Sequence, residues 1–193
     1  MNIATLSIGV GNLLKNSDMK ERVVHNDHVD PKYMVSHSDT YHSGIVYQAD
    51  IDRWALRSAY VDTDHSSSYY WCVPITPGWH TAYAKAKPEV TGVSAMLLMH
   101  CYDYLHPISV SVQNIVQTQI TAIPDGEWTE LLFQFEAPDY TKFLHYSPRG
   151  WVIDDAHVLF VDCKLSKGKK TVEEMRRMKA LAPIVSKGIH IYA

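Results

Sequence analysis

Tyr70-Trp71-Cys72-Val73-Pro74-Ile75-Thr76-Pro77-Gly78-Trp79-His80-Thr81 reads as a strand, a tight turn and a second strand. Its aromatic and β-branched residues suit a pleated, half-buried surface. The Pro-Gly pair gives the turn a mechanism, because proline presets φ and glycine accepts a positive one. Working outward, the first strand extends back to Ser68 and the second runs on to Lys87. Upstream, Ile45, Tyr47 and Ala49 alternate with Val46, Gln48 and Asp50, and Trp54, Leu56 and Ser58 alternate with Ala55, Arg57 and Ala59. Period two over such lengths predicts strands. Downstream come Val93–Tyr102, Ile108–Ile120, Trp128–Phe135 and Trp151–Leu165, with Ala137-Pro138-Asp139 and Ser147-Pro148-Arg149-Gly150 read as turns. Met96-Leu97-Leu98-Met99 lacks polar alternation, which fits a strand in the middle of a sandwich. About eight strands at short spacing predict an all-β, jelly-roll β-sandwich. Trp128 precedes Leu132 and Phe133 in its strand and is expected to be a core indole.

The 193 residues suit a single domain with an appendage. Residues 1–42 are polar, with turn-forming Asn and Asp clusters, and are expected to be an irregular lead into the sandwich; the sandwich occupies 43–165. Residues 166–193 read as a basic arm with a short C-terminal helix. Thr171-x-x-Glu174 is a capping box, Val172, Met175, Met178 and Leu181 share a face, and Pro183 ends the helix. From Lys164 onward there are eight basic residues and two acidic ones, a charge of +6; the whole chain is −3, so the first 163 residues carry −9. An acidic body with a basic arm predicts docking through Lys167, Lys169, Lys170, Arg176, Arg177 and Lys179 on an acidic protein surface or a neighbouring copy. Nucleic acid is disfavoured as the partner because no aromatic or Gly-Arg interleaving accompanies the charges.

Several function classes are excluded. No run approaches the roughly 18 apolar residues of a membrane span, and the N-terminus has no signal peptide, so synthesis in a cytoplasm is expected. Cys72, Cys101 and Cys163 are odd in number and widely spaced, which predicts free thiols rather than disulfides or zinc. His25-x-x-His28 has ligand-like spacing but no obvious third ligand. No zinc-protease, serine-hydrolase or phosphate-loop motif is present, and a chain spent on one sandwich predicts no catalytic cleft; the expectation is a non-enzyme without cofactor.

Four segments carry a family likeness when taken in order. They are Asn12-Leu13-Leu14-Lys15-Asn16-Ser17-Asp18-Met19, the Tyr70–Thr81 stretch, Pro124-Asp125-Gly126-Glu127-Trp128-Thr129-Glu130 with Phe133-Gln134-Phe135-Glu136-Ala137-Pro138, and Trp151-Val152-Ile153-Asp154-Asp155-Ala156. In this order they resemble the jelly-roll carbohydrate-binding modules attached to glycanases and found in bacteriophage tail and fibre proteins. A fifth, Lys164-Leu165-Ser166-Lys167-Gly168-Lys169-Lys170-Thr171, is similar to the tail such domains carry in phage structural proteins. The resemblance implies a non-enzymatic virion component (a capsid decoration, head fibre or tail fibre) that partners other virion proteins and copies of itself and contributes to host adhesion. The alternative it implies is a dedicated glycan-binding receptor-recognition module. Sugars stack on exposed aromatic rings beside polar groups, which selects Tyr102, Tyr104 and His106 in one turn, and Trp79 with His80. The resemblance also implies a structural calcium held by Asn16, Asp18 and Asp154, with Lys20 standing near where the family often has glutamate.

Overall fold

The computed structural model describes residues 12–14, 18–24, 29–32, 34–37, 44–60, 66–103, 115–116, 121–151 and 157–178. The strands are β1 (Arg22–Val24), β2 (Val29–Pro31), β3 (Val35–His37), β4 (Gly44–Gln48), β5 (Arg53–Tyr60), β6 (Ser66–Pro74) and β7 (Gly78–Pro88). They continue with β8 (Ser94–Tyr102), β9 (Ile115–Val116), β10 (Thr121–Ala122), β11 (Thr129–Ala137), β12 (Phe143–Trp151) and β13 (His157–Lys167), followed by helix α1 (Val172–Arg177). All described pairings are antiparallel; β1 and β2 make a separate two-stranded sheet, and the others form two layers of a sandwich. The front layer runs β4-β5-β13-β7-β11; the back layer runs β3-β6-β12-β8, with β9 and β10 on the far edge of β8. A short pairing of β5 with β6, Ala59 opposite Ser67, joins the layers at one corner.

The opening sequence stretch is this connection between layers. β6 lies in the back layer, β7 in the front, and the chain turns between them at Pro77-Gly78, where Gly78 has φ 103°. Trp71 and Tyr146 stack at 5.5 Å in the core, against Ala82, Ala84 and Ala86 of β7. These alanines leave room for the Tyr146 hydroxyl to donate to the Tyr83 carbonyl of the opposite layer at 3.1 Å. A buried phenol needs such a partner.

Three expectations need correction. The described part of residues 1–42 is not simply irregular: it contributes β1, β2 and β3, and β3 extends the back layer by pairing with β6. Ser147-Pro148-Arg149-Gly150 is no turn, since it lies within β12, whose ladder to β8 runs unbroken to Trp151. The ladder from β12 to β6 ends at Tyr146, so the strand meets Pro148 after losing one neighbour, the setting in which a sheet tolerates proline. There the Ser147 hydroxyl donates to the Tyr69 carbonyl at 3.0 Å. Finally, the last long strand begins at His157 rather than Trp151, which closes β12.

Asn12 clamps the N-terminal segment onto β13. Leu13 N–H donates to the Leu165 carbonyl at 2.8 Å, and the buried Asn12 side chain bridges the strand to its own segment. β13 pairs with β5 only from His157 to Phe160, so residues 12–14 take over the edge that β5 leaves. Between the two lies a bulge at Val161–Lys164, where Asp162 adopts φ 54°. Aspartate tolerates this left-handed conformation better than most residues. Cys101 and Cys163 are buried, Cys72 is half-buried, and all three are free thiols.

Candidate functional site

The outer face of the front layer carries two depressions among the described residues. Core parity along β11 is set by Leu131, Phe135 and Ala137, so Trp128, Glu130 and Leu132 fall on the opposite face. Trp128 is therefore not a core indole. It packs with Val46 and Ile51 on a small outer cluster of Ala55, Leu159 and Val161. Together with Arg53, Lys85 and Asp162 it walls a cleft of about 280 Å³ that also includes Ile51 and Val161.

The cleft has an apolar floor and a charged rim. Arg53 donates to Asp162, and the Lys85 ammonium lies 3.8 Å from the same carboxylate. At the other side of the indole, Trp128 Nε1 donates to Asp50 at 3.4 Å, and Lys87 donates to Asp50 at 2.9 Å. The Lys87 bond holds the Asp50 carboxyl below its usual range, with the indole N–H adding to the effect. A second, shallower depression of about 420 Å³ follows along the same face, lined by Lys87, Glu89, Asp125, Gly126 and Leu159 among others. The Trp128 cleft is a groove beside the β13 bulge, with Val161 and Asp162 in its wall.

The arm closes the other end of this face. Thr81 Oγ1 donates to the Gly168 carbonyl at 2.7 Å and accepts from Lys170 N–H at 2.9 Å. The capping box forms at Thr171 and Glu174, and Met175 is fully buried beneath α1. Lys164 donates from the sheet to the Met175 and Arg176 carbonyls at 2.8 and 3.1 Å. Arg176 grips Glu130 with two bonds, one from Nε at 2.8 Å. That grip, and the Tyr83 hydroxyl at 2.5 Å, bring the Glu130 carboxyl down to about 2.

Several predicted site residues behave differently from expectation. Trp79 is 38% exposed, but the Lys169 ammonium sits 3.5 Å over its ring, so that face is covered. His80 is buried, with Nδ1 2.9 Å from the Gly78 carbonyl and its ring stacked on Phe135, and offers nothing to a surface sugar. Tyr102 lies on the back layer, in a packed row with His145 at 4.4 Å and Tyr70 beyond it, on the opposite side of the sandwich from Trp79. Tyr104 and His106 lie outside the described residues, as does Lys179. Among the docking residues, Arg176 and Lys169 are engaged by the chain's own sheet, and Arg177 pairs with Glu173 at 3.0 Å; Lys167 remains exposed, and Lys170 is half-buried.

Of the implied calcium ligands only Asp18 lies in the described part. Asn16 and Asp154 lie outside it, and the Asp18 carboxylate pairs with Lys20 at 3.0 Å. Among the described residues no group of three or more His, Cys, Asp or Glu could hold a metal ion. No described helix is long and apolar enough to cross a membrane.

No family model and no curated protein sequence matches the chain. Its fold is that of carbohydrate-binding modules. It is similar to TmCBM61, solved in complex with β-1,4-galactotriose, at TM-score 0.54 and 15% identity over 81% of this chain and 99% of that one. It is also similar to a family 16 carbohydrate-binding module at TM-score 0.53 and 14% identity, covering 81% of this chain and 100% of that one. The CBM22-1 xylan-binding domain from Paenibacillus barcinonensis Xyn10C matches at TM-score 0.52 and 11% identity, over 74% of this chain and 90% of that one. At these identities the likeness is one of fold, the jelly-roll sandwich that the strand texture predicts.

Proposed function

We propose that the chain is a non-catalytic glycan-binding domain whose ligand lies in the Trp128 groove. The observation that carries this reading is the indole standing over an apolar floor with charged donors and acceptors on both sides. A pyranose presents an apolar face for the ring and hydroxyls for Arg53, Lys85, Asp162 and Asp50. Binding without turnover is the better fit. Glycoside hydrolysis takes two carboxyls, one of them a general acid with a raised pKa. At this groove Asp162 is engaged by Arg53 and Lys85, and Lys87 holds Asp50 in the ionised form.

The test is affinity electrophoresis and titration calorimetry on a panel of soluble polysaccharides, comparing the parent chain with Trp128→Ala and Trp79→Ala. Trp128→Ala is expected to weaken binding by at least on the order of tenfold. Trp79→Ala is expected to leave it unchanged, because Lys169 already covers that ring. A parent chain that binds no polysaccharide, or binding indifferent to Trp128, overturns the proposal.

A second reading is a structural part of a bacteriophage particle, with host adhesion as its contribution there. The phage-like Lys164–Thr171 tail supports it, and the exposed Lys167 is the residue best placed to dock on a neighbour. Under this reading a Lys167→Glu variant that still binds polysaccharide should fail to enter particles in a co-sedimentation assay. Normal incorporation would remove Lys167 as the docking residue and, with it, this reading.

A further inference from the structure

We infer that the groove selects an acidic glycan, with Arg53 and Lys85 receiving a carboxylate or sulfate group at the Asp162 end. The inference rests on the glycan-binding reading and adds the chemical class of the ligand. Its basis is a local excess of positive charge. Arg53 and Lys85 both face one carboxylate, Asp162, which can neutralise only one of them. Guanidinium and ammonium groups carry five and three donors, so most remain unspent on Asp162. Both side chains are accessible, at 55% and 35% exposure.

Lys164, the next basic residue along β13, adds to the same field. Its hydrogens are turned away to the carbonyls of α1, so it contributes charge rather than contacts. Burial pulls its pKa down; Asp162 opposes the shift, and Lys85 and Arg53 reinforce it. Three cations thus crowd Asp162, and the next carboxylate, Glu130, is bonded to a fourth, Arg176. Across the indole, Lys87 is paired with Asp50, so the unshared cations lie on the Asp162 side and give the site a polarity.

The arm decides whether Lys85 stays available. Glu130 stands directly across from Lys85 in the β11–β7 register and would be its natural cross-strand partner. Arg176 and Tyr83 occupy Glu130 instead. By docking on its own sheet, the arm takes the hydrogen bonds of the carboxylate opposite Lys85 and leaves Lys85 only a longer-range attraction to it. The acidic body, −9 over the first 163 residues, does not cancel this local excess at contact distance, because charges beyond about 8 Å are largely screened at physiological ionic strength.

The experiment titrates the full chain with glucuronoxylan and with the same polymer after carboxyl reduction, and with a sulfated galactan and its desulfated form. The acidic member of at least one pair is expected to bind on the order of tenfold more tightly, an advantage that shrinks as NaCl is raised. The favoured pair tells carboxylate from sulfate. Lys85→Gln should abolish the preference, read as the ratio of acidic to neutral affinity in the same variant. Arg176→Ala should reduce the preference without altering any residue that lines the groove, by freeing Glu130 for Lys85. Equal binding of charged and neutral forms, or a preference that survives Lys85→Gln, overturns the acidic selectivity and leaves glycan binding standing. Failure of every polymer to bind sinks the glycan reading as well.

Discussion

Replacing Asn12 by alanine is expected to remove about 3 kcal/mol of stability, a large share of what holds a domain of this size. The side chain is fully buried. Its Nδ2 donates to the Cys163 carbonyl at 3.2 Å, and its Oδ1 accepts from Leu14 N–H at 3.1 Å and Leu165 N–H at 2.9 Å. Alanine leaves all three backbone groups without this partner. Each lost bond costs about 1 kcal/mol net, and more where no water can enter. About 3 kcal/mol corresponds to a fall in Tm of roughly 6–12 °C for a chain of this length. Urea unfolding followed by tryptophan fluorescence is the assay, read as a lower midpoint at unchanged slope. Asn12→Asp separates hydrogen bonding from packing. The carboxylate can accept from both N–H groups but opposes the Cys163 carbonyl and buries a charge, which raises its folded pKa. The destabilisation of Asn12→Asp should therefore be full at neutral pH and fade on acidification, as the acid protonates and can donate to Cys163. A loss under about 1 kcal/mol for Asn12→Ala, or an Asn12→Asp variant insensitive to acid, would refute the clamp. The clamp also borders the Asp162 bulge, so polysaccharide affinity should fall with it.

Three further outcomes follow from the packing. The Glu130 carboxyl, followed by carbon-detected NMR, should titrate near 2 and move up in Arg176→Ala while staying below 4.5, because Tyr83 and Lys85 still favour the carboxylate; its contribution to stability is present above the ordinary carboxylate range and is lost as the pH falls toward 2. A normal midpoint in the parent chain would mean that the arm is not docked. Gly150→Ala should destabilise by about 1–3 kcal/mol, since the new methyl meets Val158 Cγ2 at 2.9 Å with the Ser58 carbonyl at 3.4 Å behind it; an unchanged urea midpoint would show that Val158 yields freely. Met175→Ala should release the arm rather than unfold the sandwich, because Met175 is the buried residue of α1. Limited trypsin digestion should then cut at Arg176 and Arg177 while the core survives, and a variant as resistant as the parent chain would contradict the docked helix.

The fold was legible because its strands obey period two and its main layer crossing is marked by Pro77-Gly78. Among the stretches that misled, Ser147–Gly150 did so because proline and glycine normally break a ladder. Here β12 has already lost its β6 neighbour at Tyr146, a tertiary fact with no local signature. The groove was harder to read. Arg53, Lys85, Trp128 and Asp162 come from β5, β7, the turn before β11 and a bulge in β13, and only sheet register brings them together. Trp128 was nonetheless within reach of the sequence. Leu131, Phe133 and Phe135 share one parity, and Trp128 has the other, so alternation alone places it outside. Adjacency to hydrophobic residues was the wrong cue, and Leu132 shows why: it is an outer residue, 37% exposed, between core neighbours.

The basic arm carries the more general lesson about charge. A segment of +6 following a body of −9 looks like an appeal to an external acidic partner. Part of that appeal is answered within the chain, where Arg176 holds Glu130 and Lys169 covers Trp79. Sequence charge asymmetry reports a docking tendency without saying on which molecule, because a self-contact reached through a short Gly168 link loses far less entropy than association with a second molecule. Self-docking also redistributes charge: with the Glu130 hydrogen bonds taken by the arm, Lys85 faces the groove with a shared claim on Asp162 and a longer-range one on Glu130. The arm is thus coupled to the groove through a single carboxylate, and a change at Arg176 should be felt by a ligand that never touches it.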